Sequence, residues 1–565
     1  MAVPSPAASS DAATDPTVST RRRRVMLGRL SIVGLVIATA AAWWSCTPSL
    51  VPRPWPIQAF LTGTTLAIIY GLGALIGWSY RELRLPDAPR RVRRQVPRVI
   101  AIVLPVGLLV GGVLGRSAQI HQRELLGMDP SVSALWIIAP VLGIAFGVLF
   151  LAIGRAFKTI GIRLAAVLSR ILPGRTGPVV AIAATAWLAH AVFTGVITNG
   201  VVQQLDHIFA GRNDRTDTGV FNPKTAYASG GPNSTIAWDE LGRQGRQFSW
   251  QRQTAAQIAK VTGDRTAKDP IRAYVGLDLE DDDLAARAQA AIAELRRLGA
   301  FERSTIAVAG TTGSGWISPR TAAALEFVTH GDVATVALQY SYLPSWLSDL
   351  LDADRAKAAS REMITALQVA LNELPPGERP ALYVYGESLG TNATANAFTN
   401  VEDLSATTDG ALLVGPPGFD PNFRRIQDHR KPGSPPWKPV YKDGSIVQVA
   451  ATANDLDTSK WTTPNRVVYL VHASDPIVVW QGYDRGKWLD PRGPGIPDSV
   501  RHVPLVGTLQ AGVDTFSANA TPAGYGHIYD NTVVDAWNEI HGPPGLPAAE
   551  LAAIKAAVAP IDDPN

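Results

Sequence analysis

The stretch Leu382-Tyr383-Val384-Tyr385-Gly386-Glu387-Ser388-Leu389-Gly390-Thr391-Asn392-Ala393-Thr394-Ala395 is an apolar strand that runs straight into Gly-x-Ser-x-Gly and then into a helix of small residues. A serine between strand and helix occupies a tight, strained turn, and the flanking glycines keep that turn clear of neighbouring elements. The pattern marks Ser388 as a nucleophile. It also marks the N–H of Leu389, at the helix start, as a donor to a developing oxyanion. In a chain with 50 glycines the five-residue motif carries little weight by itself; the strand before it and the helix after it carry the reading.

A lone serine is a poor nucleophile, so a base and an orienting acid must follow, here in the chain order Ser, Asp or Glu, His. The acid belongs in a loop just past a later strand. Val467–Val471 is such a strand, and Asp475 follows it in a loop fixed by Pro476. Asp484 and Asp490 lie in a Trp/Gly/Arg-rich stretch with no strand before it and are expected on a surface loop. His527, in Gly524-Tyr525-Gly526-His527-Ile528-Tyr529-Asp530, occupies a glycine-flexed loop before the last helical run and is the expected base. His502 and His541 are less well placed, and His472, at a strand end, is expected to be structural. The second oxyanion donor should come from Gly310-Thr311-Thr312-Gly313-Ser314-Gly315-Trp316, with Thr311 and Thr312 not distinguished. That loop lacks the Gly-Lys-Ser/Thr ending of a phosphate-binding P-loop.

Working outward, short β-branched runs alternate with helical patterns from residue 271 to the end, the sign of a mostly parallel sheet with helices on both faces. Strands are expected near 272–275, 305–309, 333–338, 381–385, 410–414, 446–449 and 467–471. Helices are expected near 281–298, 319–329, 354–373, 389–399 and 532–540. Asp281, Asp282 and Asp283 suit a helix N-terminus better than a metal cluster. An insertion from Gly415 to about Pro464, with Trp437, Trp461 and a basic run, reads as a lid over the site or as a surface excursion. Residues 203–270 are polar and read as a connector.

The first two hundred residues have a different composition. After an Ala/Ser/Pro/Thr-rich tail, 1–29, five apolar stretches run near 30–47, 57–80, 99–115, 134–153 and 178–200. Each approaches the ~20 residues that cross a bilayer core. The arginine-rich segments (Arg21–Arg24, Arg81–Arg98 and Arg155–Arg175) all fall on one side of such a bundle, and the intervening loops hold only Arg53, Arg116 and Arg123. Basic loops stay cytoplasmic, so an odd number of spans puts the domain after residue 203 outside. His190, the one histidine at membrane depth, reads as a helix-contact residue, and the glycines Gly63, Gly71, Gly73, Gly77, Gly111, Gly112 and Gly115 as close helix packing.

A net charge of +4 concentrated beside membrane segments argues against nucleic acid, and the single cysteine, Cys46, excludes both an intramolecular disulfide and a thiolate zinc site. No cofactor motif stands out.

Ala300-Phe301-Glu302-Arg303-Ser304, Gly331 to Leu343, Tyr469 to Ile477 and Ser49-Leu50-Val51-Pro52-Arg53 together resemble a family of bacterial multi-pass membrane proteins, common in actinobacteria. In that family an all-α N-terminal membrane domain (here 30–202) is fused to a C-terminal α/β-hydrolase domain (here 271–565). The resemblance implies a serine esterase or lipase but supplies no substrate. With the domain outside the membrane, an acylated envelope lipid or glycolipid is the expected substrate. An acyltransferase using the same three residues, a non-catalytic scaffold and a transporter are the rivals; the ordered Ser-Asp-His set argues against the scaffold, and the lack of paired intramembrane charges argues against the transporter.

Overall fold

The computed structural model describes residues 30–83, 89–168, 170, 176–195, 211–279, 283–480, 488–489 and 492–561. The tail 1–29, residues 196–210, Asp281, Asp282, Asp484 and Asp490 lie outside them.

The N-terminal part is a bundle of helices: α1 (Ile32–Trp44), α2 (Trp55–Glu82), α3 (Arg90–Leu125), α4 (Ala139–Leu168) and α5 (Thr176–Gly195). Three of these, α2, α3 and α4, are long and apolar enough to cross a membrane. The first expected span shortens to 13 residues in α1. At ~1.5 Å per residue it is about 20 Å long, less than a ~30 Å hydrocarbon core. Leu75, Ile102, Leu114 and Val148 are exposed on the bundle surface, the expected face toward lipid rather than water. Small residues bring the helices together. A Cβ on Gly63 would stand 2.7 Å from the Gly143 carbonyl oxygen, and one on Gly112 would stand 2.0 Å from that of Ile137. Gly71 departs from the expectation, with open space where its side chain would be.

The C-terminal part is built on seven strands: β1 (Ile271–Val275), β2 (Thr305–Gly310), β3 (Val333–Leu338), β4 (Ala381–Glu387), β5 (Gly410–Val414), β6 (Val447–Ala450) and β7 (Arg466–Leu470). Their order is β1-β3-β2-β4-β5-β7-β6, and every pairing is parallel. The strands are buried along almost their whole length, which is why they read as unbroken apolar runs rather than alternating ones. Helices α8 (Leu284–Arg297), α9 (Pro319–Val328), α10 (Ser345–Asn372), α11 (Leu389–Ala395), α12 (Val401–Thr407), α13 (Pro421–Asp428), α14 (Pro476–Val479), α15 (Val506–Asp514), α16 (Thr532–His541) and α17 (Ala548–Val558) complete it, with α6 (Gly242–Trp250) and α7 (Ala255–Thr262) preceding β1.

One expectation changes. The segment read as a connector is part of the folded domain: Ile236, Leu241, Phe248 and Ile258 are in its core. Its chain also runs along the edge of β1, where Ser229 N–H donates to the Arg272 carbonyl at 2.9 Å and Arg272 N–H to that of Tyr227 at 3.0 Å. An edge strand is thereby covered. The insertion, read as a lid or a surface excursion, carries the strand expected near 446–449 as β6 at the sheet edge. Trp437 is buried, and Trp461 donates to Glu539 at 2.6 Å beside Arg466, at the amino-terminal end of β7 and away from Ser388.

The two parts meet at Ser49–Arg53. Arg53 pairs with Asp514 of α15 at 3.1 Å with both side chains fully buried. Ser49 Oγ and Leu50 N–H also donate to Asp514, and Gln122 of α3 donates to the Ser49 carbonyl at 2.9 Å. Val506 of α15 packs into the same apolar cluster as Ala42, Cys46 and Leu108 of the bundle.

Candidate active site

Ser388 follows β4 directly and has φ 57° and ψ −122°, a left-handed conformation that a serine adopts only when its surroundings enforce it. The enforcement is visible. Ser388 N–H donates to the Val414 carbonyl at 2.9 Å, and Thr391 Oγ1 donates to the carbonyls of Gly386 and Val414 at 2.7 Å each. The motif glycines are explained by lack of room. A Cβ on Gly386 would stand 2.3 Å from Gly390, and one on Gly390 would stand 2.3 Å from the Gly310 carbonyl. That back-to-back contact of Gly310 and Gly390 also fixes the Thr311–Trp316 loop beside the start of α11, where Leu389 lies. Ser388 is half-buried, while Leu389, Thr311 and Thr312 are buried.

The two threonines now differ. Thr312 N–H donates to the Trp316 carbonyl at 3.0 Å within its own loop, so it is already engaged. Thr311 uses its hydroxyl to hold the Leu338 carbonyl at 2.9 Å, which anchors the loop without consuming its N–H.

Asp475 and His527 come together at the same carboxyl edge of the sheet. His527 Nδ1 lies 2.7 Å from Asp475 Oδ2, with Asp475 fully buried and His527 nearly so. The other carboxylate oxygen accepts from Ile477 N–H at 2.9 Å, which makes Asp475 the cap of α14. The imidazole packs over Gly415, the residue after β5: a Cβ there would stand 2.8 Å from His527 Cε1. Gly415 adjoins Val414, whose carbonyl holds Ser388 N–H, so the ring lies beside the serine's turn. His527 Nε2 is buried and has no hydrogen-bond partner among the described residues.

One contributor escaped the sequence reading. Tyr529 donates its hydroxyl to Asp475 Oδ2 at 2.9 Å and accepts from His472 N–H at 3.4 Å. Its ring stacks on His472 with centroids 4.2 Å apart. His472 in turn meets the Gly526 carbonyl through Nδ1 at 3.1 Å, and burial lowers its pKa, which keeps it neutral. His472 thus supports the loop carrying His527, as expected of a structural histidine. A tyrosine two residues after a candidate base was visible in the sequence, but no spacing rule identifies it as a donor to the acid.

The C-terminal part, residues 271–554, matches a family model described as alpha/beta-hydrolase family, and residues 46–250 match one described as alpha/beta-hydrolase family N-terminus. The chain belongs to the alpha/beta-hydrolase family. Comparison with curated proteins and with solved structures finds no significant match. Family membership supports a hydrolase-type activity. The second model begins at Cys46, just after α1, and ends at Trp250, the last residue of α6.

Proposed function

We propose that this alpha/beta-hydrolase is a membrane-anchored serine esterase or lipase in which Ser388, His527 and Asp475 act as a triad. The Asp475–His527 contact at 2.7 Å, set over Gly415 beside the strained Ser388, carries the proposal. Ser388 Oγ attacks an ester carbonyl as His527 Nε2 takes its proton, and Asp475 holds the imidazole in the tautomer with Nε2 open and stabilises the imidazolium that forms. Leu389 N–H and Thr311 N–H receive the oxyanion. His527 returns the proton to the leaving alkoxide, the alcohol departs, and water attacks the acyl-serine by the same route to release the acid.

The join with the bundle supports a substrate that lives in the membrane. The carboxyl edge of the sheet leads into residues 476–514, and α15 from that segment inserts Val506 into the bundle's apolar cluster. The contacts fall at Ser49–Arg53, with Leu126 against Gly495 as a further one. These are the ends of α1 and α3 away from the arginine-rich segments. With the basic ends cytoplasmic, Ser388 works outside the cell membrane on an acylated lipid or glycolipid.

A fluorophosphonate probe on the purified full-length protein tests the chemistry. Wild type should label and Ser388→Ala should not; equal labelling of both, or none of either, sinks the assignment. Protease treatment of intact spheroplasts tests the sidedness. Release of the C-terminal part is expected, and its protection would put the site inside.

A further inference from the structure

Between α1, α2, α3 and α4 lies a cavity of about 800 Å³, lined by the bundle and by no residue of the catalytic half. Its volume is within the ~300–1,000 Å³ typical of small-molecule sites. The walls are apolar side chains such as Leu35, Leu66, Leu104 and Leu151, and the lining holds two cations, Arg155 and Arg163, with no Asp or Glu. Among the described residues neither arginine meets a carboxylate. Arg155 is half-buried and Arg163 exposed, so both present their charge at the rim of an apolar cavity, inside a helix bundle long enough to span a bilayer, where an anionic headgroup is attracted.

Position along α4 sharpens this. At ~1.5 Å per residue, Arg155 lies about 24 Å and Arg163 about 36 Å from the start of the helix at Ala139. They bracket the far boundary of a ~30 Å hydrocarbon core, at the end of the bundle opposite the join with the catalytic half. An apolar cavity in the core with guanidinium groups at its mouth matches a lipid, chain inward and phosphate at the interface, and basic pockets between helices on the cytoplasmic side are sites for anionic headgroups. The chain's own N-terminal segment is a poorer occupant, because Arg21–Arg24 and Arg29 outnumber Asp11 and Asp15 and make it net basic.

We propose that this cavity binds one anionic glycerophospholipid of the cytoplasmic leaflet, its acyl chain between α1, α2, α3 and α4 and its phosphate held by Arg155 and Arg163. The site is separate from Ser388, and its test does not depend on the hydrolase chemistry. Full-length protein in a mild detergent would be titrated with fluorescent phosphatidylglycerol and, in parallel, with fluorescent phosphatidylcholine. Phosphatidylglycerol should bind at one per chain and at least tenfold more tightly, and millimolar inorganic phosphate should not displace it. An Arg155→Gln/Arg163→Gln protein should lose that preference. Ala152→Trp, which fills the cavity and leaves both arginines, should weaken both lipids. Ser388→Ala should bind like wild type. Equal affinity of wild type for the two lipids, or a preference that survives removal of both arginines, would overturn the proposal. Displacement by inorganic phosphate would assign the arginines to a free anion instead.

Discussion

Two fully buried aspartates organise this molecule, one at the carboxyl edge of the sheet and one at the join with the N-terminal helix bundle, and they differ in what they hold. Asp514 is surrounded by fixed donors: the Arg53 guanidinium, Ser49 Oγ and Leu50 N–H. That set is a guanidinium, a hydroxyl and a backbone N–H, each engaged in holding the two parts together. Asp475 receives Ile477 N–H, Tyr529 Oη–H and a histidine. Of these only the imidazole is a general acid–base group, and its far nitrogen has no partner among the described residues. Burial makes an aspartate structural or chemical according to its partner.

The comparison breaks first at Asp475. Asp475→Asn keeps the shape but removes the charge that orients and stabilises the imidazolium, so turnover of a chromogenic ester should fall by about 10³–10⁴-fold with little change in KM. His527→Ala should lose as much. A loss below about tenfold in either variant would mean that the pair is not the working base and acid.

At the join the expected loss is in stability. Arg53→Ala leaves Asp514 buried without its cation, a change that costs roughly 3–5 kcal/mol. The unfolding midpoint of the detergent-solubilised protein should drop, and proteolysis near residues 495–514 should speed up. Fluorophosphonate labelling per folded molecule should stay near wild type. Loss of labelling at full stability would instead make the join part of the catalytic machinery.

Legibility divides along the same line. The strand, turn and helix around Ser388, and the chain order of Asp475 and His527, could be read because the proposed triad uses fixed residue types in a fixed local context. All seven strands could be read because a buried parallel sheet demands unbroken apolar runs. The join could not: Ser49-Leu50-Val51-Pro52-Arg53 carried a resemblance but no chemistry until Asp514, more than 460 residues away, was seen beside it. The same holds for Tyr529, whose role depends on a contact across the loop, and for residues 211–262, whose polar composition hides the few apolar side chains that enter the core. The five apolar stretches were visible, but the length of α1 was not, because the helix ends at Ser45, which is buried against Thr62 and Gln58 of α2.

A third buried aspartate has no cation in contact and sharpens the contrast. Asp420 caps α13, accepting from Asn422 and Phe423 N–H at 2.8 and 2.9 Å, while Oδ2 is unpartnered among the described residues. Burial raises its pKa to about 7, against the lowering effect of those two N–H groups. An acid whose folded pKa is raised stabilises the fold fully below its unfolded pKa near 3.8 and loses that contribution as pH rises to about 7. Asp420→Asn keeps the cap and removes the proton. Its advantage over wild type in unfolding midpoint should therefore be small at pH 5 and larger at pH 8, by an amount worth a few kcal/mol. A difference that does not grow with pH would mean that Asp420 ionises inside the fold at no cost.

The smallest effect belongs to an aspartate in water. Asp283 caps α8, its exposed carboxylate accepting from Ala285 and Ala286 N–H at 2.9 and 3.1 Å. Because both donors sit at the helix start and water replaces them readily, Asp283→Ala should cost about 1 kcal/mol. In a domain of this size that lowers the unfolding midpoint by roughly 2 °C. Asp283→Asn, which preserves the acceptor, should recover most of the loss, separating hydrogen bonding from charge. If Asp283→Ala instead cost as much as Arg53→Ala, the acids at 281–283 would be binding something beyond the end of their own helix, and the helix-cap assignment would fail.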